Sequence, residues 1–217
     1  RSRAPAHPAP RWMRFERNME DGKLQKALVD AQQLESLAAA GLPRALVAAG
    51  IGRQLVKSGH PSEALVWLRR ALVSSPDDAR VLVDLAGTLE ALGQGLRAAE
   101  VYQAALARAE AGGPGAPVLD LDAVRWSLGR LLASETGDLP LALGFLRKVG
   151  SRAPVALDAR ALEVKLAQEL GDSAALRSAA LRLLQAIELG WSTSARARQH
   201  VLDVEGTLRQ LGQEDLA

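Results

Sequence analysis

Between Lys57 and Asp78 the chain reads KSGHPSEALVWLRRALVSSPDD, with Ala64, Leu68, Ala71 and Leu72 recurring at helical spacing along one face. Gly59 and Pro61 stand before this run and Pro76 after it, so the pattern predicts a turn, an amphipathic helix and a stop. The same arrangement returns 34 residues later, where Gly93, Ala98, Tyr102, Ala105 and Leu106 match Gly59, Ala64, Leu68, Ala71 and Leu72. A second pair follows at the same period, Gly137, Ala142, Leu146 and Val149 against Gly171, Leu176, Ala180 and Leu183. Upstream, Gly22, Ala27, Ala31 and Leu34 precede the first set by 37, with three extra residues near AAAGLP. From Ala98 to Ala142 the spacing widens to 44, and most of the excess is visible as GPGAPVLDL.

Each turn glycine also follows a helical pattern. Leu46, Ile51, Gly52 and Leu55 precede Gly59, and Leu82, Leu85, Ala86 and Leu89 precede Gly93. Before Gly137 the equivalent set, Trp126, Leu128, Gly129 and Leu132, is shifted by one, which places an extra residue around Ser134 to Thr136. The unit is therefore a helix, a Gly turn and a second helix ended by Pro or Asp, and self-similarity at such a period predicts stacked units sharing one continuous core. Gly52, Ala64, Ala71, Ala86, Ala98, Ala105 and Ala142 mark where two helices approach closely, and Leu68, Tyr102 and Leu146 fill the space between them.

These units resemble tetratricopeptide repeats. Ile51, Gly52, Leu55, Gly59, Ala64, Leu68, Ala71 and Pro76 match that family's pattern almost completely. The other units depart from it at single places: Glu110 stands where Pro is usual, Leu176 replaces the signature Ala, and Arg14 and Phe15 occupy the small-residue positions of the first copy. The resemblance implies an all-α, right-handed superhelical α-solenoid. The expected organisation is a Pro/Ala-rich linker over 1–8, four to five repeats over 9–190 (about 9–44, 45–78, 79–112, 122–156 and 157–190), an insertion at 113–121, and a capping helix with a tail over 191–217. Ser192 is the expected N-cap of that last helix and Trp191 the plug at its junction.

Composition agrees with this picture and removes several function classes. Apolar residues make up 48% of the 217 but aromatics only 3%, the bulk being Ala, Leu and Val, which favours closely packed helices. With 27 basic against 25 acidic residues the formal charge is only +2, which is no nucleic-acid footprint. The absence of cysteine removes disulfides, thiolate catalysis and thiolate metal sites, and leaves both a cytoplasmic and a periplasmic setting open. No apolar run approaches the roughly 18 residues of a membrane span. The chain opens at Arg1 on RSRAPAHPAPR, so a signal peptide, an anchor or another domain is expected to have preceded it.

His7, His60 and His200 are isolated, and no paired carboxylates stand in an apolar setting. The GIG at Gly50 to Gly52 lacks the third glycine and the strand of a dinucleotide loop. AGGPG at 111–115 lacks the Lys-Ser/Thr of a phosphate loop. No catalytic residue, metal or cofactor is expected.

The resemblance instead implies a groove lined by the first helix of each unit. Its inward positions fall at Glu16, Arg53, Gly87, Arg130 and Lys165, flanked by Lys57, Arg80, Trp126 and Gln168, with Asp84, Glu90 and Glu169 interspersed. Such a face either holds an extended peptide or helix bearing acidic groups, or is simply a solvated surface. Gly87 either makes room for a bulky partner residue or allows close packing. The Lys, Asn and Arg carboxylate clamp of the family's chaperone-tail binders is not present in recognisable form, since the sole asparagine, Asn18, lies outside the groove core. Trp12, Phe15 and Met19 form a helical stripe that faces either the core or a docking partner, and Trp67 is available for contact on the convex side. The expected function is a non-catalytic protein-binding scaffold. Its Ala/Leu/Arg-rich composition is similar to that of high-GC bacterial proteins that sit beside envelope or secretion machinery. The alternatives are a self-associating structural module, through the first repeat or Trp67, and a nucleic-acid or regulatory repeat domain, against which the mixed charge argues.

Overall fold

The computed structural model describes residues 9–38, 43–112 and 119–188, together with Leu202 and Gly206. The expected linker, most of the insertion, and the capping helix with Trp191 and Ser192 lie outside these. The chain divides into two compact units, Arg1–Pro117 and Val118–Ala217. The first contains α1 (Ala9–Glu20), α2 (Leu24–Ala38), α3 (Arg44–Lys57), α4 (Pro61–Ser74), α5 (Ala79–Ala91) and α6 (Gly95–Ala111). They pack as three helical hairpins, α1 with α2, α3 with α4 and α5 with α6, with α2 against α3 and α4 against α5 between successive hairpins. The second unit contains α7 (Leu121–Leu131), which runs into a π-helical turn (Leu132–Thr136), then α8 (Leu139–Arg147), α9 (Ala156–Glu169) and α10 (Ser173–Ala186). Here α7 pairs with α8 and α9 with α10. Leu121, read from the sequence as part of the insertion, instead begins α7, because Asp120 caps that helix by accepting the backbone N–H of Ala123.

Local chemistry explains where the helices stop and start. Gly22, Gly59, Gly93, Gly137 and Gly171 all have φ between +67° and +79°, the left-handed conformation that a side chain disfavours. At Gly59 the helix closes with paired bonds, Gly59 N–H to the Val56 carbonyl and His60 N–H to the Leu55 carbonyl, and the turns at Gly22, Gly93 and Gly171 repeat this pattern. Asp78, Asp138 and Asp172 cap the helices that follow them, each contributing about 1 kcal/mol. The extra residue expected around Ser134 to Thr136 is absorbed by the π-helical turn, which lets Gly129 stay in register although it stands eight residues before its turn glycine where Gly52 stands seven before its own.

Packing within the hairpins follows a volume rule. A Cβ on Gly52 would lie 2.7 Å from Leu68, and one on Gly129 would lie 2.8 Å from Leu146, so each glycine admits the leucine opposite. The equivalent residues of the third hairpin are Ala86 and Tyr102, both buried. In the first and fifth hairpins the volumes are exchanged between helices, with buried Phe15 and Val164 on the first helix and buried Ala31 and Ala180 on the second. Each contact thus sets one small residue against one larger one, as close packing of two helices demands.

Candidate functional site

In the first unit the residues singled out from the sequence gather around Asp84. Arg53 on α3 reaches across to α5, its Nη1 lying 3.3 Å from Asp84 Oδ2, with the guanidinium half exposed. Lys57, one turn further along α3, acts on the same carboxylate by charge. Arg80 lies one turn before Asp84 on α5, exposed, with its backbone N–H held by the Asp78 cap. Neither Lys57 nor Arg80 has a side-chain hydrogen-bond or ion-pair partner among the described residues. Burial pushes the Asp84 carboxyl up to about 6, outweighing Arg53 and Lys57, which pull it down. Gly87 is half-buried, and a Cβ there would meet the Tyr102 hydroxyl at 3.5 Å, an ordinary contact. Its missing side chain is therefore not required by close packing.

In the second unit Trp126 and Arg130 stand one turn apart on α7, both half-buried. Lys165 and Gln168 are exposed on α9, and Lys165 makes a long 3.8 Å ion pair with Glu169.

The aromatic residues behave otherwise than the sequence allowed in one case. Phe15 and Met19 are buried, and the Trp12 ring lies against Gly50 of α3, so that stripe faces the core. Trp67 was expected to be available for contact on the convex side. It is only 4% exposed, because its ring floors a small depression of about 190 Å³ walled by Leu28, Gln32, Glu63 and Val66, with the Arg70 guanidinium stacked over it at 4.8 Å. The convex side of α4 therefore does not present an exposed Trp67.

Two charge networks centred on buried carboxylates were not singled out from the sequence. Asp30 on α2 accepts from Arg14 Nε and Asn18 Nδ2, both at 2.8 Å, at the foot of an open cleft between α1 and α2. Arg14 and Asn18 take the places that Ile51 and Leu55, both wholly buried, hold in the second hairpin. In the second unit Glu163 is wholly buried between Arg160 and Arg182. Arg182 grips it with Nε at 3.0 Å and Nη2 at 2.7 Å, while Arg160 also bonds the carbonyls of Leu146 and Val149. Burial holds the Arg160 guanidinium below its ordinary value. The signal for the second network is an Arg and a Glu three apart on a helix face otherwise made of Ala, Leu and Val. Among the described residues no group of three His, Asp or Glu side chains is placed to hold a metal ion, and no helix is long and apolar enough to cross a membrane.

No family model and no curated protein matches the sequence. Solved structures do share its fold. MamA from Desulfovibrio magneticus RS-1 is 17% identical over 88% of this chain and all of its own, with a TM-score of 0.62. YrrB, described as a TPR protein with an unusual peptide-binding site, is 19% identical over 89% of this chain and 91% of its own, also at 0.62. A tetratricopeptide repeat protein from Parabacteroides merdae is 14% identical over 95% of this chain and 74% of its own, at 0.64.

Proposed function

We propose that this chain, which has the tetratricopeptide-repeat fold, is a non-catalytic module that holds an extended or helical segment of a protein partner against the first helices of its hairpins. The observation that carries this reading is the set of Arg53, Lys57 and Arg80 beside Asp84, with Asp78 at the start of α5, which leaves three cations against two carboxylates on an exposed face of α3 and α5. Guanidinium forks bind carboxylates in a fixed orientation, so an acidic segment is the partner chemistry such a face favours. Gly87 adds room for a side chain of that segment, and Trp126, Arg130, Lys165 and Gln168 give the second unit a similar mixture of cationic, amide and aromatic groups. The peptide-binding site described for YrrB, a protein of the same fold, supports the reading by analogy. A place within a bacterial envelope or secretion assembly is suggested by composition alone.

The test is a pull-down from a lysate of the native organism, comparing the wild-type chain with an Arg53→Glu/Lys57→Glu variant shown by circular dichroism to be folded. Capture by the first and loss by the second is the expected result. Equal capture of the same protein by both refutes the assignment to this face.

A further inference from the structure

Resting on that reading of the α3 and α5 face, we infer that Asp84 stands where a partner's carboxylate would stand. In the free protein it holds Arg53, an acidic segment gains that guanidinium only by displacing it, and protonating Asp84 therefore opens the face to acidic partners.

The geometry distinguishes this pair from a structural one. Arg53 touches Asp84 through one nitrogen at 3.3 Å, longer than the 2.7–2.9 Å or so of a strong charge-assisted bond, and makes no other hydrogen bond among the described residues. The fork of Arg182, by contrast, is spent on Glu163 at 3.0 and 2.7 Å, and that carboxylate is sealed from water. Arg53 therefore keeps most of its donors facing solvent while its charge is partly occupied from within.

The carboxylate that occupies it is set up to let go. Asp84 is 22% exposed, and the groups acting on it are Arg53 and Lys57 from α3 and Asp78 from the start of its own helix, where Arg80 also stands one turn away. Thr88, a turn later, gives its hydroxyl to the Asp84 main-chain carbonyl and not to the carboxylate. From α4, Arg70 is engaged with Glu35 and with the Trp67 ring; from α6, Arg97 bonds Gln94, Arg108 pairs with Asp77, and Tyr102 lies beside Gly87. α4 and α6 also carry Glu63, Arg69, Glu100 and Glu110. Partial burial without a second donor raises the carboxyl into a range where mild acid neutralises it. A partner's exposed carboxylates, with ordinary values near 4, remain ionised there. Acidification thus discharges the internal competitor before it discharges the ligand.

The experiment is calorimetric titration of the full chain with an end-capped, glutamate-rich peptide at about pH 7.5 and about pH 5.5, bracketing the Asp84 value near 6. A matched peptide carrying sulfonates in place of carboxylates controls for protonation of the probe. Wild type, Asp84→Asn and Arg53→Gln are compared, each checked for folding by circular dichroism. The wild type is expected to bind about threefold more tightly at the lower pH, the scale set by releasing one exposed ion pair. Asp84→Asn is expected to bind at both pH values as the wild type does in acid, and Arg53→Gln to bind weakly with no pH dependence. If the wild type and Asp84→Asn bind alike with the same pH profile, the gate is refuted while the binding face stands. If neither binds the peptide at either pH, the binding face itself fails and the gate with it.

Discussion

Replacing Gly52 by alanine tests the volume rule that holds each hairpin together. An alanine Cβ at this position would lie 2.7 Å from Leu68 Cγ and 2.8 Å from its Cδ2, and Leu68 is wholly buried. Carbon atoms in contact prefer about 3.5–4.0 Å, so α3 and α4 must part by most of an ångström or Leu68 must leave its rotamer. Overpacking of this kind costs about 1–3 kcal/mol, and the better helix propensity of alanine returns about 1 kcal/mol. The expected net loss is about 0–2 kcal/mol, read as a fall of up to several degrees in the thermal midpoint and as faster amide exchange in α3 and α4. Pairing the change with Leu68→Ala makes the test sharper, because the double variant recreates the small residue found opposite Phe15 and Val164. The two changes should couple favourably by about 0.5–2 kcal/mol relative to their sum. A double variant that is simply additive would refute the argument.

Gly144→Ala should do the reverse of Gly52→Ala, since a Cβ there meets nothing within 4 Å in α8; a gain of about 0.5–1 kcal/mol in denaturant unfolding is expected. Gly59→Ala also has open space but sits at φ +79°, so backbone strain alone should cost about 1–2 kcal/mol in the same assay. Glu163→Gln leaves Arg160 and Arg182 without their carboxylate and should cost about 3 kcal/mol or more, measured as loss of protection in α9 and α10. Asp84 has a folded value near 6 against an ordinary 3.8, so its ionisation opposes folding: its share of stability is fully present below the ordinary value and is lost as pH rises through about 6, by at most about 3 kcal/mol. The stability of Asp84→Asn should lack that step, and a wild-type profile that rises across this window would contradict the assignment.

The repeat, its hairpins and their turns were legible because each depends on chemistry local to a few residues. Gly22, Gly59, Gly93, Gly137 and Gly171 could be picked out by spacing since only a left-handed residue closes the first helix there, and Gly52 could be placed at a helix contact because its partner Leu68 lies within the same unit. The extra residue near Ser134 was legible as a count, though its resolution into a π-helical turn was not. The candidate face was legible as a set of helix positions, but not as an arrangement: the reach of Arg53 to Asp84 spans 31 residues and depends on how α3 lies against α5. Trp67 was misjudged for the same reason, since its own helix says nothing of the depression that α2 closes around it. Periodicity thus determined which residues share a helix face and how many hairpins the chain can form. Only tertiary packing decided which of those faces meet water, because desolvation and ion pairing depend on neighbours that the repeat brings close in space while leaving them far apart along the chain.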